Sequence, residues 1–396
     1  MISSSEIIDL PEDLYRDPYA VLAGLRERGP VHRVRWPSGG EVWLVVGYDE
    51  AFDALAEPTL IKNWLRATGR IGPGAIGANM ISSDPPDHTR LRRLVSRSFT
   101  ARRVAALIPR VEAIAVELAD RMAAAVGPRD LIAEFAFPLP VSVISELLGV
   151  PFLDRAEFSA LCGRIMASAG DASAGPIDVE EINRYFDGLI ERKRADPGED
   201  LLSALIRTTD EDADRLSQAE LRATTFLLLV AGHVTSTNLI ANGVLALLDH
   251  PDQLAALRAD WDLLPRAVEE ILRYDGPQPF STRRFTTTHW PVGESGTVIP
   301  PGETVMIALA AAGRDPERFP RPGGFDIHRA ATGHLAFGHG IHYCLGAPLA
   351  RIQVSTALRV LLTRFPDLAL ASGQDRSWRR TLISRGVTEL PVLLGS

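Results

Sequence analysis

The stretch Phe337-Gly-His-Gly-Ile-His-Tyr-Cys344-Leu-Gly-Ala-Pro-Leu-Ala-Arg351 decides the fold, because it isolates one cysteine in a glycine-rich turn that leads into a helix. Glycines let the backbone approach a flat cofactor closely, and a helix N-terminus favours negative charge nearby. Cys344 is therefore predicted to be a thiolate ligand. The other cysteine, Cys162, has no such context, and we expect a buried structural residue there.

The composition indicates a globular chain and excludes some classes of partner. The 396 residues are 46% hydrophobic and 23% charged, and the formal charge of -8 argues against a nucleic-acid binder. The polar start, residues 1–9, has no signal-peptide or membrane-anchor pattern, and the longest apolar stretch, residues 305–312, is too short to span a bilayer. We expect a cytoplasmic protein with no nucleic-acid or membrane partner.

Periodicity predicts a mainly α fold with a smaller β portion. Residues 30–48 read as a hairpin, whereas residues 90–126 and 180–207 carry apolar residues at helical spacing. Ser217 and Glu220 form a capping-box signature that opens a central helix of about 48 Å, ending at His250-Pro251. A further helix starts around Pro265 and ends before Gly276. We predict one domain, 1–396, with its β-rich part around 30–48 and 280–310 plus 378–394.

Phe337, Gly340, Cys344 and Gly346 resemble the haem-binding signature of the cytochrome P450 family. The resemblance implies the cytochrome P450 fold, with haem b between the long central helix and the cysteine loop, and Cys344 as the axial ligand of the iron. A Cys-x-x-Cys-His motif is absent from the sequence, which argues against covalent c-type haem.

Two further groups of residues gain a role from this resemblance. By spacing alone, Glu270 and Arg273 would be a surface pair that contributes little stability. The resemblance implies instead a buried structural triad with Arg329. The members of the second group could likewise be solvated surface residues. The resemblance implies instead that these four residues bind haem propionates: His88, Arg92, Arg284 and His342.

The central helix carries Ala231-Gly-His-Val-Thr-Ser-Thr237, which resembles the oxygen-binding stretch of the family. Gly232 would leave room beside the iron, and Thr235 would hydrogen-bond dioxygen or its waters. The alternative is an ordinary core helix, in which a threonine bonds its own backbone. Val234 departs from the family pattern, because an acidic residue usually stands there.

The missing acid puts the proton route in question. We hypothesise that protons arrive through water held by Thr235, Ser236 or a substrate hydroxyl. Two alternatives remain open: a peroxide-driven enzyme, and a non-catalytic haem binder or scaffold.

Substrate and partners follow from the resemblance only in outline. It implies hydroxylation or epoxidation of a largely hydrophobic natural product, a polyketide or macrolide in antibiotic biosynthesis, by an actinobacterial enzyme. Electrons would come from a ferredoxin and its reductase, docking near Arg90, Arg93 and Arg97, since no flavin or iron–sulfur motif is present. The pocket residues proposed by position, which core packing would explain equally well, are Val230, Val234, Phe280, Ser281 and Ile383.

Overall fold

The computed structural model describes residues 6–37, 39–69, 79–151, 154–170, 178–211, 216–371, 376–381 and 384–395, without the side chains of residues 155, 165–170 and 208–211. The described helices are α1 (Pro18–Arg28), α2 (Tyr48–Ala56), α3 (Trp64–Thr68), α4 (Asp87–Ser98), α5 (Ala101–Ala106), α6 (Ile108–Ala123), α7 (Pro138–Leu147), α8 (Arg155–Gly170), α9 (Val179–Ala195), α10 (Leu201–Glu211), α11 (Gln218–Asp249), α12 (Pro251–Ala259), α13 (Leu264–Asp275), α14 (Leu309–Ala312) and α15 (Ala347–Arg364). The described strands are β1 (Ile8–Asp9), β2 (Val31–Arg35), β3 (Glu41–Val45), β4 (Leu60–Ile61), β5 (Arg129–Asp130), β6 (Arg284–Thr286), β7 (Trp290–Pro291), β8 (Val298–Ile299), β9 (Thr304–Ile307), β10 (Ala369–Leu370) and β11 (Pro391–Leu393).

The predicted fold class, mainly α with a smaller β portion, is confirmed. Backbone contacts divide the chain into two compact units. The first comprises residues 1–70, 241–344 and 375–388, and the second comprises residues 71–240, 345–374 and 389–396. A single domain over 1–396 stays a prediction.

The first unit is built on a mixed sheet. Its described strands run in the order β1-β2-β3-β9-β6-β4, and β7 pairs separately with β8. The predicted hairpin is β2 with β3, in the antiparallel register that sets Val31 opposite Val45. Successive side chains of β3 pack into two different hydrophobic cores. Trp43 packs in one core, and Leu44 packs in the other. Because both faces of β3 are covered, its sequence is an almost unbroken apolar run.

A buried ionic group lies in the same unit. Arg385 donates to the Asp275 carboxylate at 2.5 Å and to the carbonyls of Tyr15 and Arg16, both at 3.0 Å. Its guanidinium lies 3.9 Å from the centre of the Trp378 ring. Arg385 therefore connects residues 15–16 near the N-terminus, the end of α13 and Trp378 near the C-terminus.

The second unit is a helical assembly with a small sheet. Helix α6 has a buried stripe at helical spacing and packs against α15. The stripe consists of Val111, Ile114, Ala115, Leu118, Ala119 and Met122. Strands β10, β11 and β5 form an antiparallel sheet in that order.

Helix α11 begins as the capping box predicts. The Ser217 N–H donates to the Glu220 carboxylate at 2.8 Å, and the Glu220 N–H donates to the Ser217 hydroxyl at 3.2 Å. Burial acts to raise the pKa of Glu220, but hydrogen bonds from Ser217 and from Arg90 outweigh it and lower that pKa. Helix α11 is long and apolar enough to cross a membrane, but 67% of its most apolar 18 residues are buried, as in the core helix of a soluble protein.

Candidate active site

The cysteine loop is held by its own backbone. A 3-10 turn covers Gly340–His342, and the Cys344 N–H donates to the Phe337 carbonyl at 2.9 Å. Gly340 has a φ of +71°, and a Cβ there would lie 3.0 Å from the Leu55 carbonyl oxygen. Only glycine suits both the left-handed backbone and the close approach. The loop therefore leaves Cys344 half-buried, close to the surface of its unit.

Chain connectivity places Cys344 next to a helix start. Gly346 caps α15, whose first residue, Ala347, follows Cys344 by three positions. The unpaired N–H groups of a first helical turn favour negative charge. This arrangement favours the thiolate over the thiol.

Glu270, Arg273 and Arg329 form a buried ionic triad in the first unit. The Arg273 guanidinium donates to both Glu270 carboxylate oxygens, at 2.6 and 2.7 Å. The Arg329 Nε lies 3.2 Å from Glu270, and the Asp326 N–H donates to the same carboxylate at 2.9 Å. The Glu270 and Arg273 side chains are both 0% exposed. The surface-pair interpretation is therefore wrong.

Arg273 also binds backbone carbonyls in the segment that precedes the cysteine loop. Its guanidinium donates to the carbonyls of Gly313, Pro322 and Gly324, at 2.9, 2.8 and 2.9 Å. Arg329 adds a bond of 2.6 Å to the Pro320 carbonyl. The triad thus fixes the backbone of the segment that precedes the loop.

The four residues predicted to bind propionates are divided between the units. In the first unit, Arg284 is buried on β6 and donates to the Leu55 carbonyl at 3.1 Å, and His342 is half-buried in the 3-10 turn. In the second unit, His88 is buried and Arg92 is half-buried, four residues apart on α4. The Leu55 carbonyl therefore lies close to Gly340 of the loop and accepts from Arg284, both within the first unit.

On α11, exposure changes abruptly within two turns. Ala231 is exposed and Thr235 is half-buried, although Leu229, Val234 and Ser236 beside them are buried. The Thr235 hydroxyl donates to the Ala231 carbonyl at 2.7 Å. Its lone pairs stay open to a second donor.

Gly232 also has a packing contact with a neighbouring helix, and its predicted role beside the iron stays a prediction. A Cβ at this position would lie 3.3 Å from Cδ1 of Ile144 on α7. The glycine therefore allows α11 to pack closely on α7.

Comparison with known proteins places this geometry in a family. A sequence model described as Cytochrome P450 matches residues 177–377. The cytochrome P450 monooxygenase PikC of Streptomyces venezuelae is 52% identical over 397 residues, which cover 98% of this chain and 95% of that protein. The chain belongs to the cytochrome P450 family.

Two further proteins support this assignment. The 6-deoxyerythronolide B hydroxylase of Saccharopolyspora erythraea is 45% identical, with 98% of each chain covered. The structure of the tirandamycin C-bound P450 monooxygenase TamI superposes with a TM-score of 0.89 and 42% identity, covering 98% of this chain and 100% of that one. This P450 is therefore an oxidoreductase, a monooxygenase with the cytochrome P450 fold, and the predicted family and enzyme class are confirmed.

Membership in this family implies a haem iron, and the residues of this P450 fit one. Cys344 supplies a soft sulfur ligand on a loop whose Gly340 leaves no space for a side chain. On α11, the exposed Ala231 shares a face with the half-buried Leu227, Leu228 and Thr235, and this accessible face suits a flat apolar group. In the same unit as Cys344, the buried Arg284 of β6 suits a carboxylate of such a group.

The residues proposed for the substrate pocket have varied surroundings. Val230 is half-buried and Val234 is buried on α11. Phe280 is 1% exposed and packs edge-on against Trp36, 5.0 Å between ring centres, so the core accounts for it. Ser281 accepts from the Ile307 N–H at 3.0 Å and so extends the pairing beyond β9. Ile383 lies outside the described residues.

One residue of the site had no predicted role. His233 is fully buried, with Nδ1 2.8 Å from the Leu229 carbonyl and Nε2 3.3 Å from the Cys162 carbonyl on α8. Burial lowers its pKa from the ordinary 6.5. A histidine between apolar neighbours in a helix gives no sequence signal that distinguishes such a contact from simple packing. A neutral ring carries one N–H and donates to either the Leu229 or the Cys162 carbonyl, and only the bond to Cys162 would join α11 to α8.

Proposed function

We propose that this P450 inserts one oxygen atom from dioxygen, by hydroxylation or epoxidation, into a largely hydrophobic polyketide or macrolide in antibiotic biosynthesis. The observation that carries the proposal is the 52% identity to PikC over 98% of the chain. The relatives support the substrate class, because one is named for 6-deoxyerythronolide B and another holds tirandamycin C.

The group that fits the site is haem b, with the Cys344 thiolate as iron ligand. Phe337 and Gly346 would border it on the loop, while His88, Arg92, Arg284 and His342 would bind its propionates. When bound, this group supplies the activation of dioxygen. The contribution of the chain is to hold the thiolate, orient the substrate and deliver protons.

On the central helix, Thr235 is the residue proposed to bind dioxygen or its waters. Its hydroxyl hydrogen points to the Ala231 carbonyl, so its oxygen can accept from a water, and the hydroxyl would have to rotate away from Ala231 to donate to dioxygen. Ser236 is 4% exposed and next to it, which makes it a weaker candidate for contact with substrate. Val234 adds an apolar side chain where an acid would supply protons.

The electron donors in this proposal are a ferredoxin and its reductase, in the cytoplasm. Both cysteines are free, as expected in a reducing compartment. Arg93 and Arg97 are exposed, four residues apart on α4, and present positive charge to an acidic partner. Arg90, on the same helix, forms an ion pair with Glu220.

An optical titration tests the substrate class. The purified ferric holoenzyme is titrated with macrolides, other polyketides, steroids and terpenoids, and a shift of the haem absorption by a macrolide or polyketide is expected. The shifting compound is then incubated with ferredoxin, reductase and NADPH under dioxygen. An oxygenated product supports the proposal. A product formed only with hydrogen peroxide would instead establish the peroxide-driven alternative, which the buried Val234 favours.

A charge reversal tests the partner. The double variant Arg93→Glu, Arg97→Glu is expected to slow reduction by ferredoxin about tenfold at low salt. Arg121→Glu is the matched control, since Arg121 is 66% exposed on α6. Equal rates in both variants would refute docking at α4.

A further inference from the structure

His334 lies in the segment that leads into the cysteine loop, and both nitrogens of its ring have a hydrogen-bond partner. Nε2 lies 3.0 Å from a carboxylate oxygen of Glu269 on α13, and Nδ1 lies 3.2 Å from the Ala336 nitrogen, whose N–H donates to it. The His334 side chain is 4% exposed. Water therefore competes little for either bond.

The two partners fix which nitrogen of His334 carries the hydrogen. A backbone N–H can only donate, so Nδ1 must be the acceptor and the ring hydrogen lies on Nε2. From there it is donated to the Glu269 carboxylate. A hydrogen bond to a charged acceptor is stronger than one between neutral groups. The neutral ring of His334 therefore satisfies one donor and one acceptor at the same time.

Helix α13 provides a rigid attachment for this histidine. Glu269 is next to Glu270, whose carboxylate is the centre of the buried triad. Gly276 follows the last residue of α13, and a Cβ there would lie 3.7 Å from the Cβ of Ala336. Residue 336 therefore lies beside the end of α13 and is also linked to the middle of that helix through His334.

Backbone hydrogen bonds extend this attachment to the cysteine. Phe337 directly follows Ala336, and its carbonyl accepts from the Cys344 N–H at 2.9 Å. The Gly338 N–H donates to the Leu335 carbonyl at 2.8 Å, which closes a turn around the same residues. The imidazole therefore acts on the residue next to the carbonyl that holds the Cys344 backbone.

We propose that Glu269 and His334 are a positioning pair for the iron ligand, which holds the backbone of Ala336 and Phe337 and so keeps the Cys344 thiolate in place to bind the haem iron. The inference rests on the proposed binding of haem through Cys344 and is independent of the substrate. The pair acts separately from the triad, whose carbonyl partners lie earlier in the chain. Without the imidazole, the Ala336 N–H loses its acceptor, and the neighbouring backbone must move to satisfy it.

Two substitutions of His334 and one matched control test the pair. His334→Leu removes both hydrogen bonds, whereas His334→Gln keeps an acceptor and a donor in one planar side chain. His250→Leu is the control, because His250 is half-buried in the same unit and its Nδ1 lies 2.7 Å from the Ala246 carbonyl. Two properties of each holoenzyme are measured: the fraction of its ferrous carbon monoxide complex that has the thiolate-ligated spectrum, and the rate of haem transfer to apomyoglobin.

His334→Leu is expected to release haem about tenfold faster than the parent and to lose part of the thiolate-ligated spectrum, because groups that orient a metal ligand typically contribute at least that much. His334→Gln should restore both properties. His250→Leu should match the parent in both, even where it melts at a lower temperature. A parental spectrum and release rate in His334→Leu would overturn the inference, as would equal losses in His250→Leu or no recovery in His334→Gln.

Glu269→Ala keeps the test decisive if His334→Leu does not fold. The Glu269 side chain is 24% exposed, so its removal leaves a smaller gap than the loss of a fully buried group. Without the carboxylate, the ring hydrogen of His334 can move to Nδ1, where it opposes the Ala336 N–H. Haem release should again be faster than in the parent, and a parental rate would contradict the proposed pair.

Amide hydrogen exchange followed by mass spectrometry gives a readout that does not depend on haem. Peptides covering residues 335–344 should exchange faster in His334→Leu and at the parental rate in His250→Leu. Parental exchange in His334→Leu would show that the imidazole does not hold this segment. If the parent protein binds no haem, the proposed function fails, whereas the exchange rates still decide whether His334 holds residues 335–337.

Discussion

Replacing Glu270 by glutamine removes one charge from the buried triad and leaves nearly the same volume. In the parent protein this carboxylate accepts from Arg273 at 2.6 and 2.7 Å and from the Asp326 N–H at 2.9 Å. Glutamine has one acceptor oxygen, and its NH2 group would face the Arg273 guanidinium. A buried cation would then lack its counter-charge.

The burial of the Glu270–Arg273 pair sets the size of the expected loss of stability. Because both side chains are 0% exposed, water cannot screen the remaining charge. Removing one partner of such a pair costs about 3–5 kcal/mol. That is a large part of the roughly 5–15 kcal/mol by which proteins are stable. For a chain of 396 residues it corresponds to a fall in Tm of about 4–6 °C.

Thermal unfolding of the holoenzyme, followed by circular dichroism and by haem absorption, measures this loss. Asp120→Asn is the control, because Asp120 pairs with Arg364 at the surface, where both side chains are more than half exposed. Breaking that pair should cost about 0–1 kcal/mol. The reasoning is refuted if Glu270→Gln melts within about 1 °C of this control. Haem released before the main transition would show that the triad acts through the cysteine loop.

Three further outcomes are expected. Gly340→Ala should lower the haem content and reduce the free energy of unfolding by at least about 1 kcal/mol, because Ala must adopt a φ of +71° close to the Leu55 carbonyl. Haem absorption per protein measures the haem content. Arg385→Met should destabilise the protein by about 3–5 kcal/mol, since the Asp275 carboxylate loses its cation, and denaturant unfolding checks this. For His233, burial lowers the folded-state pKa below 6.5, so the unfolded state binds more protons and stability falls as pH drops below about 6.5. In His233→Gln that slope should be smaller, and a slope equal to the parent's would contradict the assignment.

Local signals explain which elements the sequence predicts well. The capping box of Ser217 and Glu220 and the stop at His250-Pro251 match α11, and Gly276 follows the last residue of α13. The helical pattern of residues 90–126 instead divides into α4, α5 and α6. The breaks come at Phe99-Thr100, where the Thr100 hydroxyl caps α5, and at Leu107. The first break has no glycine or proline, whereas Pro109 in the first turn of α6 marks the second.

The site was predictable where chemistry dictates residue type and unpredictable where packing does. One cysteine among glycines predicts the ligand loop, whereas the triad is predicted only by the resemblance to the family. The burial of Glu270 could not be read from its spacing, because an exposed pair has the same spacing. Gly232 is attributed to space beside the iron, and its contact with Ile144 could not be foreseen because α7 is distant in the sequence.

The sequence of the central helix must meet two conflicting requirements. As a core element it must be apolar, and Leu229, Val234 and Leu239 are buried there. A proton route needs polar groups, each costly to bury without a partner. Thr235 meets this cost by donating its hydroxyl hydrogen to the Ala231 carbonyl one turn earlier. An acid at position 234 would add a charge to a position that is 6% exposed. Valine avoids the cost of burying that charge, which gives a physical reason for an apolar residue at this position.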